Sequence, residues 1–305
     1  MKGLIMSVLM VGSLAFDTIE TPFTRKERVI GGSCTYGALA ASLFCDVAIV
    51  GVVGEDFKEE HFKILTGKNI DIKGVKKETG KSFFWEGRYH LDMNTRDTIK
   101  TELNVFEKFN PVIPEEYRQK EFLFLANIDP VLQLKVLNSM KSLKFTLCDT
   151  MNLWIDIKKQ ELIEVFKRVD CVVLNDSEVR QFSGNHNLIL GAREIRKLGP
   201  KYVIIKKGEH GATITGPDGF YFSLPSYPVE DVVDPTGAGD SFAGAFIGFL
   251  AKQKEINENN LKKAVVYGNA VASFTVQGFS IDRLYEININ DVENRIKMIK
   301  RCVEF

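Results

Sequence analysis

Residues 234–240 read Asp-Pro-Thr-Gly-Ala-Gly-Asp, and Ser-Phe-Ala-Gly-Ala-Phe-Ile-Gly-Phe-Leu follows at 241–250. A loop of small residues thus ends in a carboxylate where a helix begins. Gly237, Ala238 and Gly239 let backbone N–H groups approach an anion closely, and the positive end of the helix dipole adds to that field. Asp240 then stands beside the anion hole as a base. The competing reading is a Gly-rich turn with Asp240 as the helix N-cap. Phe242, Phe246, Phe249 and Leu250 recur at helical spacing, so the helix is expected to be buried. Gly244 and Gly248 lie on one face of it and predict close approach to a sheet.

Outward from this stretch, short apolar runs at 5–11, 47–53, 122–126, 144–148, 171–174 and 202–206 suit buried parallel strands. Helical patterns at 35–44, 59–66, 130–142, 159–168, 187–198 and 261–275 separate them. The alternation predicts an α/β fold: a doubly wound, mostly parallel sheet flanked by helices, with ligands at the carboxyl ends of strands. Asp17, Asn127, Asp149, Asn175 and Lys206 or Lys207 fall at such ends. Residues 79–107 break the alternation. Within them, 82–94 places Phe83, Trp85, Tyr89 and Leu91 on one face and Phe84, Glu86, Arg88, His90, Asp92 and Asn94 on the other, which is strand periodicity. At 305 residues and 45% hydrophobic content, one domain over 1–305 with a small appendage is expected.

The stretch 234–240 resembles, at every position, the C-terminal signature of the PfkB, or ribokinase-like, carbohydrate kinase family. Other stretches agree, in family order. Residues 8–17 (VLMVGSLAFD) resemble its first strand and substrate-binding Asp, and Gly31-Gly32-Ser33 its di-glycine motif. Asn175 and Glu178 resemble its Asn-x-x-Glu motif, 206–211 (KKGEHG) its nucleotide-contacting turn, and 269–278 gives a weaker match. The resemblance implies ATP-dependent, Mg2+-requiring phosphorylation of an alcohol on a sugar or sugar derivative. Asp240 would be the general base, with Gly237, Ala238 and Gly239 as the anion hole. Asp17, Gly31, Gly32, Tyr36 and Asn127 would bind the acceptor. Asn175, Glu178, Lys206, Lys207, Gly208, Gly211 and Asn269 would face the nucleotide, Glu178 also holding Mg2+ through water. Asp234 and Thr236 match positions that in relatives bind a monovalent cation such as K+. Residues 16–30 together with 79–107 resemble the family's β-lid, which excludes water from phosphoryl transfer.

Two departures leave the acceptor open. Tyr36 stands where the family has a sugar-touching Asn, and Lys206 or Lys207 replaces a Thr. A nucleoside kinase similar to adenosine kinase would set Phe83, Trp85 or Tyr36 against a base; packing of these rings within the lid, or across a homodimer formed through it, favours a sugar. A non-catalytic ligand-binding relative is opposed by the intact Asp240.

Forty basic and forty acidic residues balance without a long charge block, so no nucleic-acid or membrane partner is expected. Five cysteines without metal-type spacing imply free thiols in a reducing compartment. Lys2 before an apolar run resembles a secretory signal, but the run enters Gly12-Ser13 as a buried strand enters a ligand loop, and a cytoplasmic location is expected. Gly80-Lys81-Ser82 resembles the end of a Walker A loop, yet Gly74 is misplaced for one and strand periodicity follows where a helix is required.

Overall fold

The computed structural model describes residues 7–304, so Lys2 and the first two residues of the expected strand at 5–11 lie outside the described residues. In chain order the elements are β1 (Ser7–Val11), β2 (Ala15–Glu20), β3 (Arg25–Gly31), α1 (Ser33–Ser42), β4 (Asp46–Val53), α2 (Glu59–Thr66) and β5 (Ile70–Lys77). β6 (Phe83–Tyr89) and β7 (Arg96–Glu102) come next, then β8 (Phe122–Leu125), α3 (Pro130–Ser139), β9 (Phe145–Asp149), α4 (Asn152–Ile157) and α5 (Lys159–Phe166). β10 (Cys171–Asn175), α6 (Asp176–Ser183), α7 (Leu188–Arg196) and β11 (Tyr202–Lys206) continue the alternation. The chain ends with β12 (Ala212–Thr215), β13 (Tyr221–Leu224), α8 (Ala238–Gln253), α9 (Glu258–Thr275), α10 (Asp282–Glu286) and α11 (Ile289–Val303).

The main sheet has nine strands in the order β13-β12-β11-β10-β9-β8-β1-β4-β5. From β11 to β5 every pairing is parallel, and β12 and β13 add an antiparallel edge. Period-two alternation divides the side chains between two cores. Val8 and Met10 of β1 join the core containing α1, α8 and α9, whereas Leu9 and Val11 join the one containing α3, α5, α6 and α7. Covered on both faces, these strands read as unbroken apolar runs, as in Phe-Leu-Phe-Leu of β8. β5 escapes that pattern because it is an edge strand whose exposed lysines discourage further pairing.

Gly244 and Gly248 of α8 do not face the sheet, as their spacing predicts, but α1. A Cβ on Gly244 would lie 2.1 Å from the Gly37 carbonyl oxygen, and one on Gly248 2.8 Å from Ala41 Cα. Small residues on both helices let the backbones touch. The contact ties the anion loop at the start of α8 to the di-glycine loop before α1.

A second sheet, β3-β2-β6-β7, forms the lid. Asp56 anchors it, accepting from the Arg28 guanidinium (2.9 Å), the Ser82 N–H (2.8 Å) and the Ser82 hydroxyl (2.7 Å). The apolar stretch 8–17 is not one strand: β1 stops at Val11, and Asp17 lies in lid strand β2 rather than at a carboxyl end of the main sheet. The alternation across 82–94 is likewise interrupted, by a register shift between Glu86 and Gly87. The shift lets Phe84 and Tyr89, expected on opposite faces, both turn inward, Phe84 joining the core beside Phe16 and Ile30, while Leu91, beyond the strand, is 82% exposed. No helix among the described residues is long and apolar enough to cross a membrane.

Candidate active site

The loop before α8 is shaped by three residues. Gly237 is the N-cap, at φ 75°, and a Cβ there would lie 2.4 Å from the Tyr36 ring, so both the left-handed backbone and the close approach require glycine. Asp240 is therefore not the N-cap but sits in the first helical turn. Asp234, fully buried, accepts from the Thr236 N–H (2.8 Å) with one oxygen and from the Ser280 N–H (2.9 Å) with the other. Its carboxylate thus folds the loop. The Thr236 hydroxyl is bonded to Tyr89 Oη of the lid at 3.0 Å. Ala238 donates to the Pro235 carbonyl, while the N–H groups of Gly237, Gly239 and Asp240 have no acceptor among the described residues and are free to bind an anion.

Charge converges on this loop. Lys206, ending β11, places Nζ 3.2 and 3.4 Å from the two carboxylate oxygens of Asp149, at the end of β9, and beside Gly239. Burial works against the ammonium, and Asp149, Glu178 and Asp240 outweigh it, so Lys206 stays protonated. Burial, followed by the Asp149 charge, pushes Asp240 up to about 7, while Lys206 and Arg96 pull the other way. An aspartate near its ordinary value would be a weak base, and this environment makes Asp240 a stronger one. Arg96, on β7, carries no motif and is not marked by the sequence; only lid closure brings its charge to bear on Asp240 and Glu178. Lys207 does not join Lys206, its Nζ lying 3.3 Å from Ser223 Oγ on β13.

Asn175 and Glu178 form a capping box on α6. Asn175 Oδ1 accepts from the Glu178 N–H (2.8 Å) and Glu178 Oε2 accepts from the Asn175 N–H (2.7 Å). Burial raises the Glu178 carboxyl to about 7, with Lys206 opposing. The adjoining turn closes when Gly211 donates to the Gly208 carbonyl (3.0 Å) and Lys207 donates to that of Gly211 (2.8 Å). Asn94, at the lid tip, lies against Gly208. Asn269 donates from Nδ2 to the Pro225 carbonyl (2.9 Å), bracing a loop that leads toward residue 234. Among the described residues no group of three metal-binding side chains forms a cage. Glu178, beside Lys206 and Asp149, could serve a phosphate-bound Mg2+, which needs only one or two carboxylates.

Asp17 is 4% exposed and raised to about 8 by burial first, then by the charges of Asp234 and Asp240, against a lowering hydrogen bond from the Gly32 backbone. A Cβ on Gly31 would fall 1.9 Å from Asp17 Oδ2, and Gly32, at φ 96°, packs on the Ser13 carbonyl. Asp17 and Ser13 thus leave no room for a side chain at either glycine. Tyr36 does not line the cleft: it is 1% exposed, with its ring beneath Gly237. Asn127, after β8, accepts at Oδ1 from the indole N–H of Trp154 (2.9 Å), and its carbonyl lies 3.5 Å from the Ser33 hydroxyl. Trp154 is a further residue that sequence reasoning missed, although it lies on α4, which follows the carboxyl end of β9.

The family model for "pfkB family carbohydrate kinase" matches residues 17–284. A cytidine kinase of Thermococcus kodakarensis is 30% identical over 259 residues, covering 83% of this chain and 91% of that protein. Among solved structures, a nucleoside kinase of Methanocaldococcus jannaschii superposes with a TM-score of 0.76 at 20% identity, covering 95% and 98% of the two chains. Arabidopsis thaliana ribokinase, complexed with ribose and ATP, gives 0.75 at 17% identity over 97% and 99%. At these identities the superpositions show a shared overall fold. With its signature loop in place and the family model spanning most of its length, the chain belongs to the pfkB family of carbohydrate kinases.

Proposed function

We propose that this chain transfers the γ-phosphoryl group of ATP to a ribose hydroxyl of a nucleoside. The observation that carries the reading is Asp240 in the first turn of α8, with the Gly237, Gly239 and Asp240 N–H groups free of acceptors among the described residues, Lys206 beside Gly239 and the Asp240 charge acting on buried Asp17. Asp17 would orient the acceptor through its hydroxyls. Asp240 takes the proton of the attacking hydroxyl, and a loose transition state asks only modest help of it. The N–H groups of Gly237, Gly239 and Asp240, with Lys206 and Arg96, stabilise the charge on the transferring oxygens, each such donor contributing about 3 kcal/mol. Asn175, Glu178, Gly208, Gly211 and Asn269 border the nucleotide groove. Mg2+, bound with the nucleotide, would neutralise phosphate charge, with Glu178 holding it through water. The side chains of Asp234 and Thr236, the positions matched to a monovalent-cation site, already serve loop and lid bonds. The contacts Tyr89 to Thr236 and Asn94 to Gly208 close the lid over both substrates and keep water out.

Kinship with a cytidine kinase over most of both chains favours a nucleoside acceptor. Packing of the lid rings favours the alternative, a free sugar: Phe83 sits 5.4 Å from Phe106, and Trp85 covers Gly87. A coupled ADP-release screen across nucleosides, pentoses and hexoses decides between them. Saturable turnover of a nucleoside, exceeding that of any free sugar, is expected; turnover of free sugars alone would overturn the nucleoside reading.

A further inference from the structure

If the acceptor is a nucleoside, something must hold its base, and the aromatic residues of β6 are already packed. Trp154 is differently placed. It is half-buried, belongs to neither hydrophobic core, and has no aromatic partner among the described residues. Among the described residues its side chain makes a single hydrogen bond, the 2.9 Å bond to Asn127. An indole N–H can only donate, so the bond fixes the amide: Oδ1 faces Trp154, and the two Nδ2 donors have no partner among the described residues. Asn127 follows β8 and its carbonyl meets Ser33 of the di-glycine loop, whose Gly31 touches Asp17. Contacts thus run from Asp17 through the di-glycine loop and Asn127 to Trp154, and the Asp240 charge acts on Asp17 at the other end. A sugar bound at Asp17 fills the inner part, and a planar group on its anomeric carbon extends toward the outer part.

We infer that Trp154 and Asn127 form the base-recognition wall of the acceptor site, the indole stacking on a nucleobase and the amide donating to an acceptor atom on its edge. This rests on the nucleoside reading. Cytosine, whose O2 and N3 both accept, suits such a donor.

The chain has two tryptophans, so a Trp85→Phe background isolates the fluorescence of Trp154. Titration with cytidine is expected to quench that emission saturably, while ribose at the same concentrations leaves it unchanged. In steady-state assays Trp154→Ala should raise the KM for cytidine by about five- to 150-fold, the range for losing one base stack, with kcat little changed. Trp154→Phe, which keeps a stacking face, should recover most of that loss. Asn127→Asp preserves an acceptor for the indole but turns an oxygen toward the base, and should raise the cytidine KM about tenfold. Cytidine phosphorylation with an unchanged KM in Trp154→Ala and no quenching would overturn this inference and leave the nucleoside kinase reading standing. Turnover confined to free sugars would remove that reading, and the base wall with it.

Discussion

Replacing the base should stabilise the protein while disabling it. Asp240 is raised from an ordinary aspartate value of about 3.9 to about 7. An acid whose folded pKa lies above its unfolded value costs stability once it ionises: nothing below pH ~4, an increasing amount up to pH ~7, and a constant amount above. About three pH units at 1.36 kcal/mol each set an upper bound of about 4 kcal/mol. Because the carboxylate is partly open to the cleft, solvent screening reduces this to about 2 kcal/mol. Asp240→Asn keeps the shape and removes the ionisation. At pH 8 the variant should therefore melt about 4 °C above the wild type by scanning calorimetry, and the gap should close as the pH falls toward 4. Its kcat in a coupled ADP-release assay should fall by about a hundredfold or more. A variant that melts no higher at pH 8 than the wild type, or whose gain does not depend on pH, would refute the picture of a desolvated base.

The same protonation should govern the wild-type rate. With Asp240 active only as the carboxylate, kcat/KM should fall about tenfold per pH unit below about 7, and a profile flat down to pH 5 would contradict this. Lys206→Met should lower kcat by about a hundredfold through loss of the charge beside the loop, whereas Lys207→Met, which removes only a contact to Ser223, should stay within about twofold; equal losses would show that the two lysines share one role. Gly237→Ala forces a left-handed alanine against the Tyr36 ring and should destabilise the fold by about 1–3 kcal/mol while abolishing measurable turnover, and a normal melting temperature would count against the tight loop.

What could be read in the sequence was local chemistry. The 234–240 loop is legible because glycine and a carboxylate at a helix start have few other uses, and β8 because a strand buried on both faces must be apolar throughout. The location of Asp17 was not legible, since β1 stops just before Gly12, a position crowded by Ala126 and Ser33, which lie far from it in sequence. Arg96, Trp154 and the bond from Tyr89 to Thr236 were hidden for the same reason: the last joins residues 147 positions apart. Helix α6 carried a signal that could have been used, because Asn175 and Glu178 have capping-box spacing as well as motif spacing. β5 was missed because an edge strand protected by lysines resembles a polar loop.

The central claim, phosphoryl transfer from ATP to a nucleoside hydroxyl with Asp240 as base, is tested most directly by identifying the product. Mass spectrometry of wild-type reactions containing ATP, Mg2+ and cytidine should show cytidine monophosphate and ADP in equal amounts, and the same reaction with Asp240→Asn should show neither above background. ADP formed without a phosphorylated nucleoside, or cytidine monophosphate made equally well by Asp240→Asn, would contradict the account.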